Sequence, residues 1–179
     1  MKKVLAFSGS NHSHSIHNTL IRTLAACAAR TEVTILDLTD FDLPMYSIDV
    51  ESKGIPTDAI KLRQVLVEHD ALIIASPEHN GSMPAFLKNV IDWLSRVAEP
   101  SKPFFGSDKK PVLLVSTSPG PNGGATNLKT MAELMPWWGG DVKGSYSLGN
   151  YQEKSHEGEF DQKTRIELKA LMSSFEYSL

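Results

Sequence analysis

Short apolar runs alternate with longer amphipathic segments along this chain, and that alternation limits its fold more than any other feature. The runs at 3–7, 71–75 and 111–115 are apolar at nearly every position instead of every second one. A strand that is apolar on both faces must be covered on both, which calls for a parallel sheet between layers of helices. The segments between the runs supply those helices. From Ser15 to Arg30, Ile16, Leu20, Leu24, Cys27 and Ala28 recur at helical spacing, with Ser15 as the cap. Thr57 to His69 and Phe86 to Val97 repeat the pattern, through Ile60, Leu62, Val65 and Leu66 and through Leu87, Val90, Ile91 and Leu94. Thr126 to Met135 is expected to be helical and to stop before Pro136, while Gln162 to Tyr177 closes the chain as an amphipathic helix. Glu32 to Leu38 and the Gly- and Ser-rich stretch from Asp141 to Leu148 complete the set of strands. Thr39 to Pro56 has no clean period and reads as a long connection, of the kind that is functional or covers something. At 179 residues, with no repeat or linker in view, the chain is expected to form one domain over 1–179.

Charge and cysteine usage narrow the classes of partner. A formal net charge of -3 and the lack of a Lys/Arg cluster give no long-range attraction to nucleic acid or anionic lipid. Cys27 is the only cysteine, so neither an intrachain disulfide nor a multi-cysteine metal site can form, which fits a reducing compartment. Its neighbours Ala25, Ala26, Ala28 and Ala29 suggest a small thiol packed in a helix. No stretch approaches the ~20 apolar residues of a membrane span, and the apolar run ending at Ser8 is too short for a signal-peptide core. The expectation is a cytoplasmic protein with no nucleic-acid or membrane partner. Trp93, Trp137 and Trp138 read as core or interface residues.

In a parallel sheet of this kind, ligands bind beyond the carboxyl ends of the strands, where the strand order reverses. Three loops fall there. Ser8 to Ser15 is almost entirely small or hydrogen-bonding residues and opens a helix. Its backbone N–H groups and the helix dipole suit a phosphate, although the same residues would also serve as a plain cap. It is neither the dinucleotide fingerprint, because the second and third glycines are missing, nor a Walker A loop. His12, His14 and His17 crowd it, but their spacing matches no zinc motif, and a helix N-terminus repels a cation; no metal is expected. The second loop, Ser76 to Pro84, offers backbone donors and acceptors in a fixed turn, with Pro84 placed to start the next helix. The third, Ser116 to Gly124, carries glycines that permit close backbone approach or simply a mobile turn. Asp37, which a Rossmann fold would place on a ribose, reads as a surface carboxylate without the glycine fingerprint. Gly-x-Ser-x-Gly is absent, and with it a hydrolase nucleophile elbow.

The segment SPEHNGSMPAFLKNVIDWLSR, from Ser76 to Arg96, resembles the Pro-Glu-Tyr-Asn loop and following helix of the NADPH-dependent FMN reductase family, in the branch of chromate and quinone reductases. GSNHSHSIHNTL, from Gly9 to Leu20, is similar to that family's phosphate-binding segment, and the third loop to its Gly-Gly segment. The resemblance implies a flavodoxin-like three-layer fold with a five-stranded parallel sheet of order 2-1-3-4-5. It further implies non-covalent FMN reduced by NADPH or NADH, a small-molecule electron acceptor, and a homodimer or homotetramer. Carried over by position, Ser10, His12, Ser15 and His17 would surround the FMN phosphate. Pro77, Glu78, His79 and Asn80 would line the isoalloxazine, with Ser116 and Gly120 near its other edge. Lys88, Asn89 and Asp92 match the helix motif, with a role expected in scaffold and subunit packing. Three positions depart from the family: His12 stands where Arg is common, His17 where Asn is usual, and His79 where Tyr is usual. No catalytic side chain is implied, since hydride transfer is the cofactor's own chemistry. Two rivals share the fold: a one-electron carrier, for which the charge is too weak, and an FMN-free binding or regulatory module.

Overall fold

The computed structural model describes residues 1–98, 102–106 and 109–179. Five parallel strands, β1 (Lys2–Ser8), β2 (Thr31–Leu36), β3 (Ala71–Ala75), β4 (Lys110–Thr117) and β5 (Gly140–Leu148), form a sheet of order β2-β1-β3-β4-β5. Around it lie α1 (Ile16–Ala26), the single turn α2 (Ile48–Glu51), α3 (Thr57–Glu68), α4 (Ala85–Val97), α5 (Ala125–Trp138), the turn α6 (Tyr151–Lys154) and α7 (Gln162–Tyr177). A two-stranded hairpin, β6 (Ser155–His156) and β7 (Glu159–Phe160), leads into α7.

The near-continuous apolar strands are explained by two cores, one on each face. Val4, Ala6, Ile73, Leu113 and Val115 point towards Leu20, Leu24, Leu168 and Met172 of α1 and α7. The alternate residues Leu5, Phe7, Leu72, Ile74, Val112 and Leu114 point towards α3, α4 and α5. Each fully buried Leu or Ile contributes roughly 1.5–3 kcal/mol, so a one-residue register slip in any central strand would exchange both cores at once.

The sequence reading needs correction at several elements. Helix α5 does not stop before Pro136 but runs on to Trp138. Pro136 lies in its last turn, where a missing N–H costs one bond, and Gly139, at φ 89°, ends the helix by donating its N–H to Met135 and Pro136. Strand β5, by contrast, forms over Asp141 to Leu148 as expected, with Gly140 added at its start; β4 templates it over its length, with a register shift between Val112 and Leu113 that leaves Lys143 as the extra residue. Cys27 is not inside a helix: it is the C-cap of α1, half-buried against the α1–α7 core, and burial pushes its thiol up. Trp93 and Trp138 are core residues as expected, but Trp137 is 81% exposed. Lys110 is buried at the opposite end of the sheet from the three loops, donating to the carbonyls of Leu66 and His69 at the end of α3; burial pushes it down to about 8.

The long connection after β2 is pinned in place. Asp37 accepts from Thr39 at 2.9 Å to start a short 3-10 turn, Leu38–Asp40, which gives this exposed carboxylate a capping role. Further on, Asn89 of α4 donates to the carbonyls of Leu43 and Pro44, each at 3.1 Å, and accepts from the Tyr46 N–H at 2.8 Å. Trp93 Nε1 adds a bond to Pro44 O at 2.6 Å. The Asn and Trp of the Lys-Asn-x-x-Asp-Trp helix therefore serve as a clamp, whereas Lys88 and Asp92 pair with each other at the surface. Asn89→Ala is expected to cost about 1–2 kcal/mol and to make 43–56 cleavable by protease well before the core opens. Limited proteolysis followed by mass mapping checks this, and protection equal to wild type would count against the clamp.

Candidate active site

The order 2-1-3-4-5 makes β1 and β3 the switch point, and the connections that follow β1, β3 and β4 open around it. The first loop begins with Gly9, whose N–H reaches Ala75 O at 2.8 Å across that point. A Cβ on Gly9 would lie 2.6 Å from Leu87 Cδ2, so only glycine lets the loop pass this close to α4. The rest is a chain of short polar turns. Ser10 N–H donates to Ser8 Oγ, His12 N–H to Ser10 Oγ, and His14 N–H to His12 Nδ1, each at 3.2 Å. Ser15 caps α1 as expected, accepting from the His17 N–H at 3.3 Å. Among the described residues, the N–H groups of Asn11, Ser13 and Ile16 have no acceptor in the protein. His12 and His14 are exposed and meet edge to face at 6.0 Å, while His17 turns inward and is 4% exposed.

In the second loop, His79 and Ser82 exchange backbone hydrogen bonds at 2.8 and 3.1 Å around Asn80 and Gly81. Both central residues have positive φ, 53° and 79°, as a type I′ turn requires, which explains the Asn-Gly pair. His79 and Asn80 are left exposed at its tip, and Pro77 is buried beneath. Glu78 does not point out with them. Its carboxylate accepts from the Asn127 N–H at 2.9 Å at the start of α5, where a negative charge complements the helix dipole.

The third loop is fastened to both neighbours. Ser116 Oγ donates to Ser76 O at 2.7 Å, and Asn127 Nδ2 donates to Ser76 Oγ at 2.8 Å and to Pro77 O at 2.9 Å. His17 crosses from α1 to complete the base: its Nε2 lies 3.3 Å from the Thr117 N–H and 3.4 Å from Ser116 Oγ. Burial, with nearby His79 adding to it, pushes His17 down to about 4, so its ring is neutral at pH 7. Gly124, at φ 82°, passes so close that a Cβ would lie 2.0 Å from Ser116 Oγ. By contrast, no protein atom lies within 4 Å of where a Cβ on Gly120 would stand.

Of the ten residues singled out from sequence, the structure sets His17 beside Ser116, held there by the Thr117 N–H, and joins the backbone of Pro77 and the side chain of Glu78 to the same network through Asn127. Ser10 and Ser15 shape the first loop, while His12, His79, Asn80 and Gly120 stand at the rim. The sequence reading missed Asn127, Ser76 and Thr117. Asn127 had a visible signal, a polar residue on the inward face of α5 beside Leu128 and Met131; it is fully buried, and its Oδ1 has no partner. Among the described residues no group of three His, Cys, Asp or Glu side chains could hold a metal ion. No helix among them is long and apolar enough to cross a membrane.

A doubly covered parallel sheet whose switch-point crevice is floored by backbone donors and a buried polar network defines an α/β protein of the flavodoxin-like class. Residues 2–153 match the family model of NADPH-dependent FMN reductases, and the chain belongs to that family. It is 38% identical to a quinone reductase of Escherichia coli K12 over 125 residues, which are 69% of this chain and 63% of that protein. It is 35% identical to an NAD(P)H-dependent FMN reductase of Pseudomonas aeruginosa over 119 residues, 66% of this chain and 60% of that one. The matched region thus spans less than two thirds of either relative. Among solved structures, FerB, a flavoenzyme NAD(P)H:(acceptor) oxidoreductase from Paracoccus denitrificans, superposes with a TM-score of 0.81 at 26% identity, covering 99% of this chain and 96% of that one.

Proposed function

We propose that this chain acts as a single cytoplasmic domain that holds FMN non-covalently above β1, β3 and β4, takes electrons from NADPH or NADH, and delivers them to a small acceptor, a quinone or a flavin. The observation that carries this reading is the fastening of three switch-point loops into one polar floor by His17, Ser116, Ser76, Asn127 and Glu78. Membership of the FMN reductase family supports it, as do relatives named for quinone and FMN reduction.

The residues present fit FMN. The first loop combines unused backbone N–H groups with serine hydroxyls at the start of α1, a donor set suited to a phosphate monoester. Ser10, His12, Ser15 and His17 would surround that phosphate. Pro77, Glu78, His79 and Asn80 would lie along the isoalloxazine, with Glu78 contributing its backbone, since its carboxylate is held by α5. Ser116 and the open space over Gly120 would take the other edge. FMN bound there supplies a two-electron acceptor for hydride from the nicotinamide and a donor to the second substrate. The chain's own contribution is to position both partners and to present fixed dipoles where charge collects. Lys88 and Asp92 on α4 would belong to the packing surface of a homodimer or homotetramer.

Anaerobic mixing of FMN-loaded protein with NADPH, and separately with NADH, tests the reading. Bleaching of the flavin band within a normal turnover time by one donor, followed by recovery of colour when a quinone is added, is expected. A bound flavin that neither donor bleaches would favour an electron carrier, and failure to bind FMN would overturn the proposal.

A further inference from the structure

The hydrogen bonds around His17 fix more than its position. A backbone N–H can only donate, so Nε2, facing the Thr117 N–H at 3.3 Å, must present its lone pair. Ser116 Oγ, 3.4 Å from the same nitrogen, spends its proton on Ser76 O at 2.7 Å and does not compete. A neutral imidazole that accepts at Nε2 carries its proton on Nδ1. Nδ1 has no hydrogen-bond partner among the described residues, yet it is not sealed away: the buried side-chain atoms without partners there are Arg63 Nε and Asn127 Oδ1. The ring belongs to the second residue of α1, at the start of the helix that the first loop opens, and His79 of the second loop is close enough to act on its charge.

We propose that His17 divides its two nitrogens between two duties: Nε2 is a fixed acceptor that positions the end of β4, and Nδ1–H is an uncharged donor presented to the phosphate of the bound cofactor. This rests on the FMN reading above and deepens it. The Asn usual at this position could supply only the second duty, because its amide overlays Nδ1 and is too short to reach Thr117. Gln overlays Nε2 and supplies only the first. The family departure at residue 17 therefore adds a strut between α1 and β4 without adding a charge.

Two measurements test it. In 15N-labelled protein at pH 7, with and without FMN, His17 should show a protonated Nδ1 and an unprotonated Nε2. An Nε2–H tautomer or an imidazolium would overturn the assignment whether or not FMN binds. Separately, FMN and riboflavin affinities are compared in wild type, His17→Gln and His17→Asn, with melting temperatures recorded. His17→Gln is expected to melt near wild type but to bind FMN about tenfold more weakly, with riboflavin affinity unchanged. His17→Asn is expected to melt lower while keeping its preference for FMN over riboflavin. Equal loss of FMN and riboflavin in His17→Gln would overturn the donor role. Wild type failing to bind FMN would overturn the proposed function and the donor role together, leaving the strut to be decided by the tautomer.

Discussion

Gly124→Ala is expected to lower the melting temperature by roughly 5–15 °C and to abolish tight FMN binding. Two costs add. A left-handed backbone, here φ 82°, disfavours any residue with a Cβ by about 1–2 kcal/mol. The new Cβ would also lie 2.0 Å from Ser116 Oγ and 2.8 Å from Ser116 Cβ, and forced overpacking of that kind typically costs about 1–3 kcal/mol. For a chain of this size, each kcal/mol is worth about 2–4 °C. The binding loss follows because Ser116 cannot retreat without releasing Ser76 O and disturbing its contact with His17. Gly120→Ala makes the contrast. No protein atom lies within 4 Å of the position of its Cβ, so its melting temperature should hold or rise slightly as the unfolded chain loses freedom, by about 0.4–1 kcal/mol. If Gly120 borders the flavin, FMN affinity should nevertheless fall. Thermal melts and flavin titrations of the two variants check both halves; a Gly124→Ala protein that melts with wild type would refute the packing argument.

The same contrast marks how far the sequence could be read. The layers and the three loops were legible because they follow from which runs are apolar and where those runs end, whereas the sheet order came with the family resemblance of Ser76 to Arg96. The Ser15 cap was legible too, since it depends on local chemistry. What escaped the sequence was decided by partners far along the chain. Whether Glu78 faces the crevice or α5 depends on Asn127, 49 residues later, and the inward turn of His17 depends on Thr117, 100 residues later. Strand β5 was faint for a related reason: an edge strand rich in Gly and Ser borrows its conformation from β4 and not from its own propensity. Pro136 misled because a proline signals the end of a helix but not which residue of the last turn it occupies. Two of the three histidine departures are now distinguished by structure as well: His79 stays at the exposed rim, whereas His17 becomes part of the floor.

The second large effect lies away from the site, at Glu176 near the end of α7. Its carboxylate, 8% exposed, accepts from the backbone N–H groups of Ala29, Arg30 and Thr31 and from Thr31 Oγ1, at 2.7–3.1 Å for Oε1. One side chain thereby holds the whole turn between α1 and β2, and Arg30 stacked on Tyr177 at 4.2 Å closes over it. Burial alone would push this carboxyl up, but the hydrogen bonds from Arg30, Thr31 and Ala29 outweigh it and hold the group below its ordinary value. Glu176→Gln removes the charge and turns half of the acceptor into a donor facing other donors. Bonds to a charged group and orphaned buried donors are each worth about 1–3 kcal/mol, so a loss of roughly 3 kcal/mol is expected at pH 7. The sign of the pH dependence follows from linkage. Because the folded protein holds this proton more weakly than the unfolded chain does, the stabilisation is fully present above the unfolded value of about 4.3 and is lost as pH falls through the lower folded value. Urea unfolding of wild type and Glu176→Gln between pH 7 and 3 should therefore show a gap that is constant down to about pH 5 and then closes. A gap that stayed constant to pH 3 would mean that the carboxylate's charge is not what secures the turn.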